Sequence, residues 1–105
     1  YFRQMWNDPR LAASNMPSTD LLLGGKDVSD LIWKPDTFTA VDTTARRANG
    51  MTENVFTRIH ANGSVFYSCR YTMRAQCSQD NSKFPRDVHN CHIDFESYGY
   101  NTDVI

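Results

Sequence analysis

Two pairs of side chains at strand-like spacing are the first candidates for chemistry. Tyr1 and Arg3 stand two residues apart, as do Ser68 and Arg70, so on an extended chain each pair shares a face. Two guanidinium groups with a hydroxyl can hold a small carboxylate through charge-assisted hydrogen bonds. An ordinary polar sheet face is the plainer alternative for the same residues. Near the other end the chemistry is complementary. His92, Asp94 and Glu96 alternate with Ile93 and Phe95 and lead into Ser97-Tyr98-Gly99-Tyr100. With Ile93 and Phe95 in a core, Glu96 and then Tyr98 turn outward, and an aromatic face beside a carboxylate suits an ammonium group. For catalysis, Ser68, His60, His89, His92, Asp87 and Asp94 are available. None of them lies in a nucleophile elbow, a phosphate-cradling glycine loop or a helix-borne metal motif, so the chain is not expected to be an enzyme.

The three cysteines, Cys69, Cys77 and Cys91, allow at most one internal disulfide. Cys77 and Cys91 enclose thirteen residues, among them Asp80-Asn81-Ser82 and Phe84-Pro85, which suit a compact loop rather than a helix. Spacing alone leaves two states open, a bonded loop or three buried thiols. Zinc is a third alternative, since His89, Cys91, His92 and Cys77 crowd together. Only one arm of that cluster is dense in ligands, whereas structural zinc sites pair ligands on both, and no metal or other cofactor is expected. Cys69 falls on the apolar side of an alternating run with Val65, Tyr67, Tyr71 and Met73, and is read as a small core residue.

Strand signals must position these groups. Period-two character marks Tyr1 to Trp6, Asn54 to His60, Ser64 to Ala75 and Cys91 to Ser97. Ala61-Asn62-Gly63-Ser64 joins the second run to the third, and Asn-Gly between alternating runs predicts a hairpin over Asn54 to Ala75. The same residues form an N-glycosylation sequon at Asn62, although the turn explains both Asn and Gly without a glycan. Ala12 to Asp20 and Asp42 to Gly50, the latter with its Arg46-Arg47 pair, read as loops. No run sustains a helical period beyond a turn or two, and short strands between turns predict an all-β sandwich.

Composition sets the outer limits. At 105 residues the chain is one domain, and 11 Lys+Arg against 12 Asp+Glu leave a net charge of −1 with no long block of either sign. That balance offers no electrostatic case for nucleic acid or for an anionic membrane surface. A 40% hydrophobic content supports a core and disfavours disorder. The longest apolar stretch, Leu21-Leu22-Leu23, falls far short of the ~20 residues that cross a bilayer. The chain opens on what reads as the middle of a strand, without an initiator Met, and is expected to be a piece of a longer protein.

Together these residues resemble the extracellular domain of the Cys-loop, or pentameric ligand-gated, ion channels. The resemblance rests on the Cys77 and Cys91 spacing with Phe84-Pro85-x-Asp87 inside it. It rests further on Tyr1-Phe2-Arg3-Gln4-x-Trp6-x-Asp8-x-Arg10-Leu11, on Ile32-Trp33-x-Pro35-Asp36-Thr37-Phe38, on Arg58-Ile59 leading to Asn62-Gly63, and on Tyr67-Ser68-x-Arg70. It runs from Tyr1 to Ile105. Glu96-Ser97-Tyr98-Gly99-Tyr100 looks like the anion-channel branch, similar to GABA type A, glycine and glutamate-gated chloride receptors.

The resemblance implies an immunoglobulin-like β-sandwich, with residues 1–105 forming part of an extracellular ligand-binding domain cut at both ends. It implies a Cys77–Cys91 disulfide, a small-molecule transmitter bound between subunits, and four other subunits in a homo- or heteropentamer. By resemblance Phe38, Glu96 and Tyr98 belong to the principal side of the binding site, and Tyr1, Arg3, Ser68 and Arg70 to the complementary side. Arg3 and Ser68, with Arg70, would hold a carboxylate, and Phe38, Tyr98 and Glu96 an amine. Phe84, Pro85 and Asp87 would couple binding to the gate. Trp6 and Trp33 would be scaffold. The implied location is the extracellular side of a postsynaptic plasma membrane, reached through spanning segments outside this chain. A soluble transmitter-binding homologue without a channel is the alternative.

Overall fold

A computed structural model describes residues 1–13, 21–40, 44–47, 50–75 and 77–103. The elements run β1 (Phe2–Asn7), a 3-10 turn (Pro9–Leu11), β2 (Leu21–Gly24), α1 (Lys26–Leu31), β3 (Thr37–Thr39), β4 (Thr44–Arg47), β5 (Val55–His60), β6 (Ser64–Cys69), β7 (Tyr71–Arg74) and β8 (Phe95–Ser97). The fold is all-β, as the sandwich reading expects, with antiparallel ladders and, among the described residues, one short α-helix. Two compact units contain these elements. The first comprises Tyr1–Lys34 and Arg46–Thr72, the second Pro35–Ala45 and Met73–Ile105.

The first unit is built on a four-stranded sheet in the order β1-β6-β5-β2. Alternation in the sequence becomes alternation in burial. Arg3, Met5 and Asn7 are exposed while Phe2, Gln4 and Trp6 are half-buried, and β6 buries Val65, Tyr67 and Cys69. Ile59, Val65, Tyr67 and Cys69, all buried, form the core with Thr57. Each such large apolar side chain contributes about 1.5–3 kcal/mol relative to exposure. Cys69 is thus the core residue its position predicted, and it is the free thiol. Trp6 and Trp33 meet edge to face at 6.1 Å, which suits the scaffold role read for them.

The predicted hairpin forms, and its register follows from its turn. Gly63 takes φ +86°, a conformation that disfavours any side chain. A Cβ there would also lie 2.6 Å from the Asp8 carbonyl oxygen. The Gly63 amide donates to the His60 carbonyl at 2.9 Å, and the Asp8 amide donates to the Gly63 carbonyl at 2.9 Å, so the turn is tied both within itself and to the end of β1. Asp8 in turn caps the 3-10 turn by accepting from the Arg10 amide at 3.0 Å and from its guanidinium at 2.8 and 2.7 Å. These contacts, the Arg10 side chain first, hold the Asp8 carboxyl below its usual range.

Four expectations need correction. The run Ser64 to Ala75 is two strands rather than one. β6 pairs with β1 and β5, whereas β7 pairs with β4, and the change of partner falls at Arg70, whose amide donates to the Asn54 carbonyl at 3.1 Å. Thr44–Arg47, inside the stretch read as loop, is strand β4, because β7 offers it a ladder partner. The strand expected over Cys91 to Ser97 is confined to Phe95–Ser97, which pairs with Thr37–Thr39, and one further backbone bond runs from the Ala40 amide to the Asp94 carbonyl at 3.0 Å. Ile93 and Phe95, expected in a core, are 43% and 48% exposed. A two-stranded ladder does not bury its faces by itself. Of the loop expected over Ala12 to Asp20, residues 14–20 lie outside the described residues.

Candidate functional site

The residues singled out from the sequence fall into two sets, one in each unit, with no residue shared. In the first unit, Arg3 of β1 lies directly opposite Ser68 of β6. Directly paired residues of antiparallel strands share a face, with Cβ atoms typically about 4.5–5.5 Å apart. Tyr1, just ahead of β1, is 82% exposed, and the Arg3 guanidinium sits 5.8 Å from the centre of its ring. Among the described residues Arg3 and Arg70 make no ion pair. Arg70 is exposed too, but it occupies the break between β6 and β7, so strand alternation does not set its direction and its pairing with Ser68 on one face is not imposed by the ladder.

Sequence reasoning missed Phe56 on the same face. The β5–β6 register puts Phe56 opposite Ser68, so Arg3, Ser68 and Phe56 form one row across three strands. The Phe56 ring meets Phe66 edge to face at 6.4 Å and carries the Arg58 guanidinium 5.5 Å from its centre. Counting outward from Asn62-Gly63 as a two-residue turn would pair Phe56 with Cys69; the three-residue loop Ala61–Gly63 between β5 and β6 shifts the register by one and brings Phe56 opposite Ser68. The row offers guanidinium, hydroxyl and aromatic groups with no carboxylate among them, a combination suited to a small anion.

In the second unit, Phe38 of β3 lies opposite Glu96 of β8. Tyr98 follows β8 and places its ring edge-on to Phe38, centroids 5.8 Å apart at 76°. All three side chains are exposed, Phe38 at 39% and Tyr98 at 85%. A carboxylate beside two aromatic rings can attract an ammonium group, both by charge and through the ring faces.

What holds Tyr98 in place is Asp36, a residue whose part the sequence did not disclose. One Asp36 oxygen accepts from the Ser97 hydroxyl at 2.5 Å and the other from the Gly99 amide at 2.6 Å. Ser97 Oγ in turn accepts from the Tyr100 amide at 3.2 Å. The Asp36 carboxyl therefore grips the chain on both sides of Tyr98. Its pKa lies below the ordinary value because the Ser97 hydroxyl, and then the backbone amides, favour the charged form. The contact spans more than sixty positions of sequence, and nothing local to Asp36 marks it.

Cys77 and Cys91 are bonded, with Cα atoms 5.1 Å apart. The bond closes a loop that contains the cis Phe84-Pro85 peptide. Phe84 is 78% exposed, Pro85 is exposed, and Asp87 is half-buried against His89, Nε2 to Oδ2 2.5 Å. Asn81 and Lys83 carbonyls accept from the Phe84 and Arg86 amides, shaping the loop tip. His89 is thus partnered by a carboxylate. Among the described residues no group of three or more His, Cys, Asp or Glu side chains is arranged to hold a metal.

Across residues 1–105 the chain matches the neurotransmitter-gated ion-channel ligand-binding domain family, and it belongs to that family. It is therefore the ligand-binding domain of a neurotransmitter-gated ion channel. Members are pentameric, bind small neurotransmitters on the extracellular side and are not enzymes. Among the described residues no helix is long and apolar enough to cross a membrane.

Proposed function

We propose that this domain recognises a small amino-acid transmitter of the GABA type at subunit interfaces, in a chloride-conducting receptor. The observation that carries the proposal is the chemical complementarity of the two residue sets. Arg3 and Ser68 are direct partners in one ladder and suit a carboxylate. Phe38 and Glu96 are direct partners in another, with Tyr98 against Phe38, and suit an amine. A transmitter with both groups would be held by the complementary side of one subunit, Tyr1, Arg3, Ser68 and Arg70, and the principal side of the next, Phe38, Glu96 and Tyr98. A chain carrying both sides can serve a homopentamer. Chloride selectivity rests on the likeness of Glu96-Ser97-Tyr98-Gly99-Tyr100 to the anion-channel branch. The closed loop, through Phe84, Pro85 and Asp87, would pass the ligand's preference for one state on to the pore, since a ligand shifts an equilibrium only by its unequal affinity for the two states.

The test is expression of the full-length subunit in oocytes, alone and with candidate partner subunits, under GABA, glycine, glutamate and simple amines. Currents evoked by amino acids and reversing at the chloride potential are expected. A reversal that follows cations, or a response to amines lacking a carboxylate at equal potency, would overturn the proposal.

A further inference from the structure

The loop closed by Cys77 and Cys91 holds two carboxylates, and the fold treats them differently. Asp80 is exposed and accepts from the Ser82 amide at 2.9 Å, a local Asx turn. Asp87 meets a titratable partner instead. His89 Nε2 lies 2.5 Å from Asp87 Oδ2, with 14% of the carboxylate side chain exposed and 30% of the imidazole side chain. Among the described residues no other charged group forms an ion pair with either of them. Lys83 and Arg86 precede the pair along the loop, His92 and Asp94 follow it beyond Cys91, and all four are exposed. Asp36, the carboxylate beside β3, is taken up by Ser97 and Gly99. The state of the Asp87 charge is therefore set, within this domain, by one imidazole two positions away.

We propose that His89 is a proton sensor in the disulfide-closed loop, which on protonation draws the Asp87 charge into a pair within the loop and so weakens the response to agonist as pH falls. The proposal rests on the reading that Asp87 helps couple binding to the gate, and it does not depend on which transmitter binds. Imidazole is the side chain whose charge ordinarily changes between about pH 5 and 8, the range a receptor meets outside the cell. With the imidazole neutral, Asp87 keeps a full negative charge that a partner outside the loop can use. With the imidazole protonated, the same contact is an ion pair and the charge is cancelled where it stands. The sign follows directly: the pair is complete at the acid end and is lost as pH rises. Phe84 and Pro85, which share the coupling role, carry no titrating group, so the effect of pH enters through Asp87. A local charge event of this kind acts on gating only through an element that has two states, and the loop is that element.

The full-length receptor would be expressed in oocytes and its concentration–response curve taken from about pH 8 to about pH 5.5, with whichever of GABA, glycine or glutamate evokes current. The half-maximal concentration of the parent is expected to rise about twofold to fivefold toward acid, the size of an ion pair between partly exposed groups. His89→Gln keeps an N–H at this position without a titrating charge, and is expected to hold the alkaline value throughout. His89→Arg keeps a cation at every pH, and is expected to hold the acid value. His60→Gln and His92→Gln, at the other two histidines of the chain, are expected to follow the parent. A profile in His89→Gln equal to that of the parent, or a shift to lower concentrations on acidification, overturns the proposal. Asp87→Asn separates this failure from that of the coupling reading. A response equal to the parent's at neutral pH removes Asp87 from coupling and overturns both, whereas a weakened response beside an unchanged His89→Gln profile overturns the proton sensor alone. If His89→Gln does not reach the surface, His89→Arg decides, and a curve that still moves with pH as the parent's does overturns the proposal.

Discussion

Replacing Arg3 by alanine should weaken carboxylated agonists about tenfold to a hundredfold, without harming the fold. Arg3 projects from the exposed side of β1, makes no ion pair among the described residues, and has its guanidinium 5.8 Å from the centre of the Tyr1 ring. An exposed contact of that kind contributes about 0.5–1 kcal/mol, and exposed substitutions elsewhere cost within about 0.5 kcal/mol. Surface expression of Arg3→Ala should therefore match the parent. A hydrogen bond between guanidinium and a ligand carboxylate contributes about 1.5–3 kcal/mol. At about 1.4 kcal/mol per factor of ten, that sets the size of the expected shift. The assay is a pair of concentration–response curves in the full-length receptor, one with GABA and one with an amine of the same length lacking the carboxylate. The GABA curve should move right and the amine curve should stay. Arg3→Lys should fall between parent and alanine, because an ammonium keeps the charge and loses the planar fork. An equal shift for both ligands, or none for either, would refute the assignment of Arg3 to the carboxylate.

Two further outcomes follow from the second unit. Cys77→Ser opens a loop of 15 residues, counted inclusively from Cys77 to Cys91. It should remove roughly 3 kcal/mol of stability on a chain-entropy estimate, and surface labelling should show loss of assembled receptor. Asp36→Asn removes the charge that holds Ser97 and Gly99 on either side of Tyr98. It should lower agonist potency several-fold, and its effect should not add to that of Tyr98→Ala, because both act through the same ring. The pH dependence has a definite sign. The folded Asp36 pKa is depressed below 3.8, so its contribution is complete above that value and is lost as pH falls through the lower folded one. Potency loss attributable to Asp36 should therefore be absent across the neutral range, and its onset near neutral pH would contradict the hydrogen-bonded carboxylate.

Much of this molecule was legible along the chain. The alternation of Val65, Tyr67 and Cys69 with Phe66 and Ser68 announced a strand with one buried face, and Asn62-Gly63 announced the turn before it. The register was not legible, because Asn62-Gly63 taken as a two-residue turn would set Phe56 against Cys69, and only the observed three-residue loop sets it against Ser68. The Cys77 and Cys91 spacing admitted a disulfide but did not require it, because spacing says nothing of whether two Cα atoms approach within bonding range. The resemblance carried that step, and the 5.1 Å separation agrees.

What the sequence determined by itself was therefore local: the strand faces, the turn that needs a positive φ, and the residue types able to meet a carboxylate or an amine. Its limits were equally physical. Whether Ser64 to Ala75 is one strand or two depends on which partners stand alongside, and only the ladders with β5 and β4 reveal the change at Arg70. The alternation of Cys91 to Ser97 does not reveal that only Phe95–Ser97 forms the ladder with Thr37–Thr39. Asp36 shows the division most plainly. An aspartate after proline is an ordinary loop residue until a chain more than sixty positions away brings the Ser97 hydroxyl and the Gly99 amide to its two oxygens. Hydrogen-bond partners at that separation are chosen by packing, and no period or motif in the sequence encodes them.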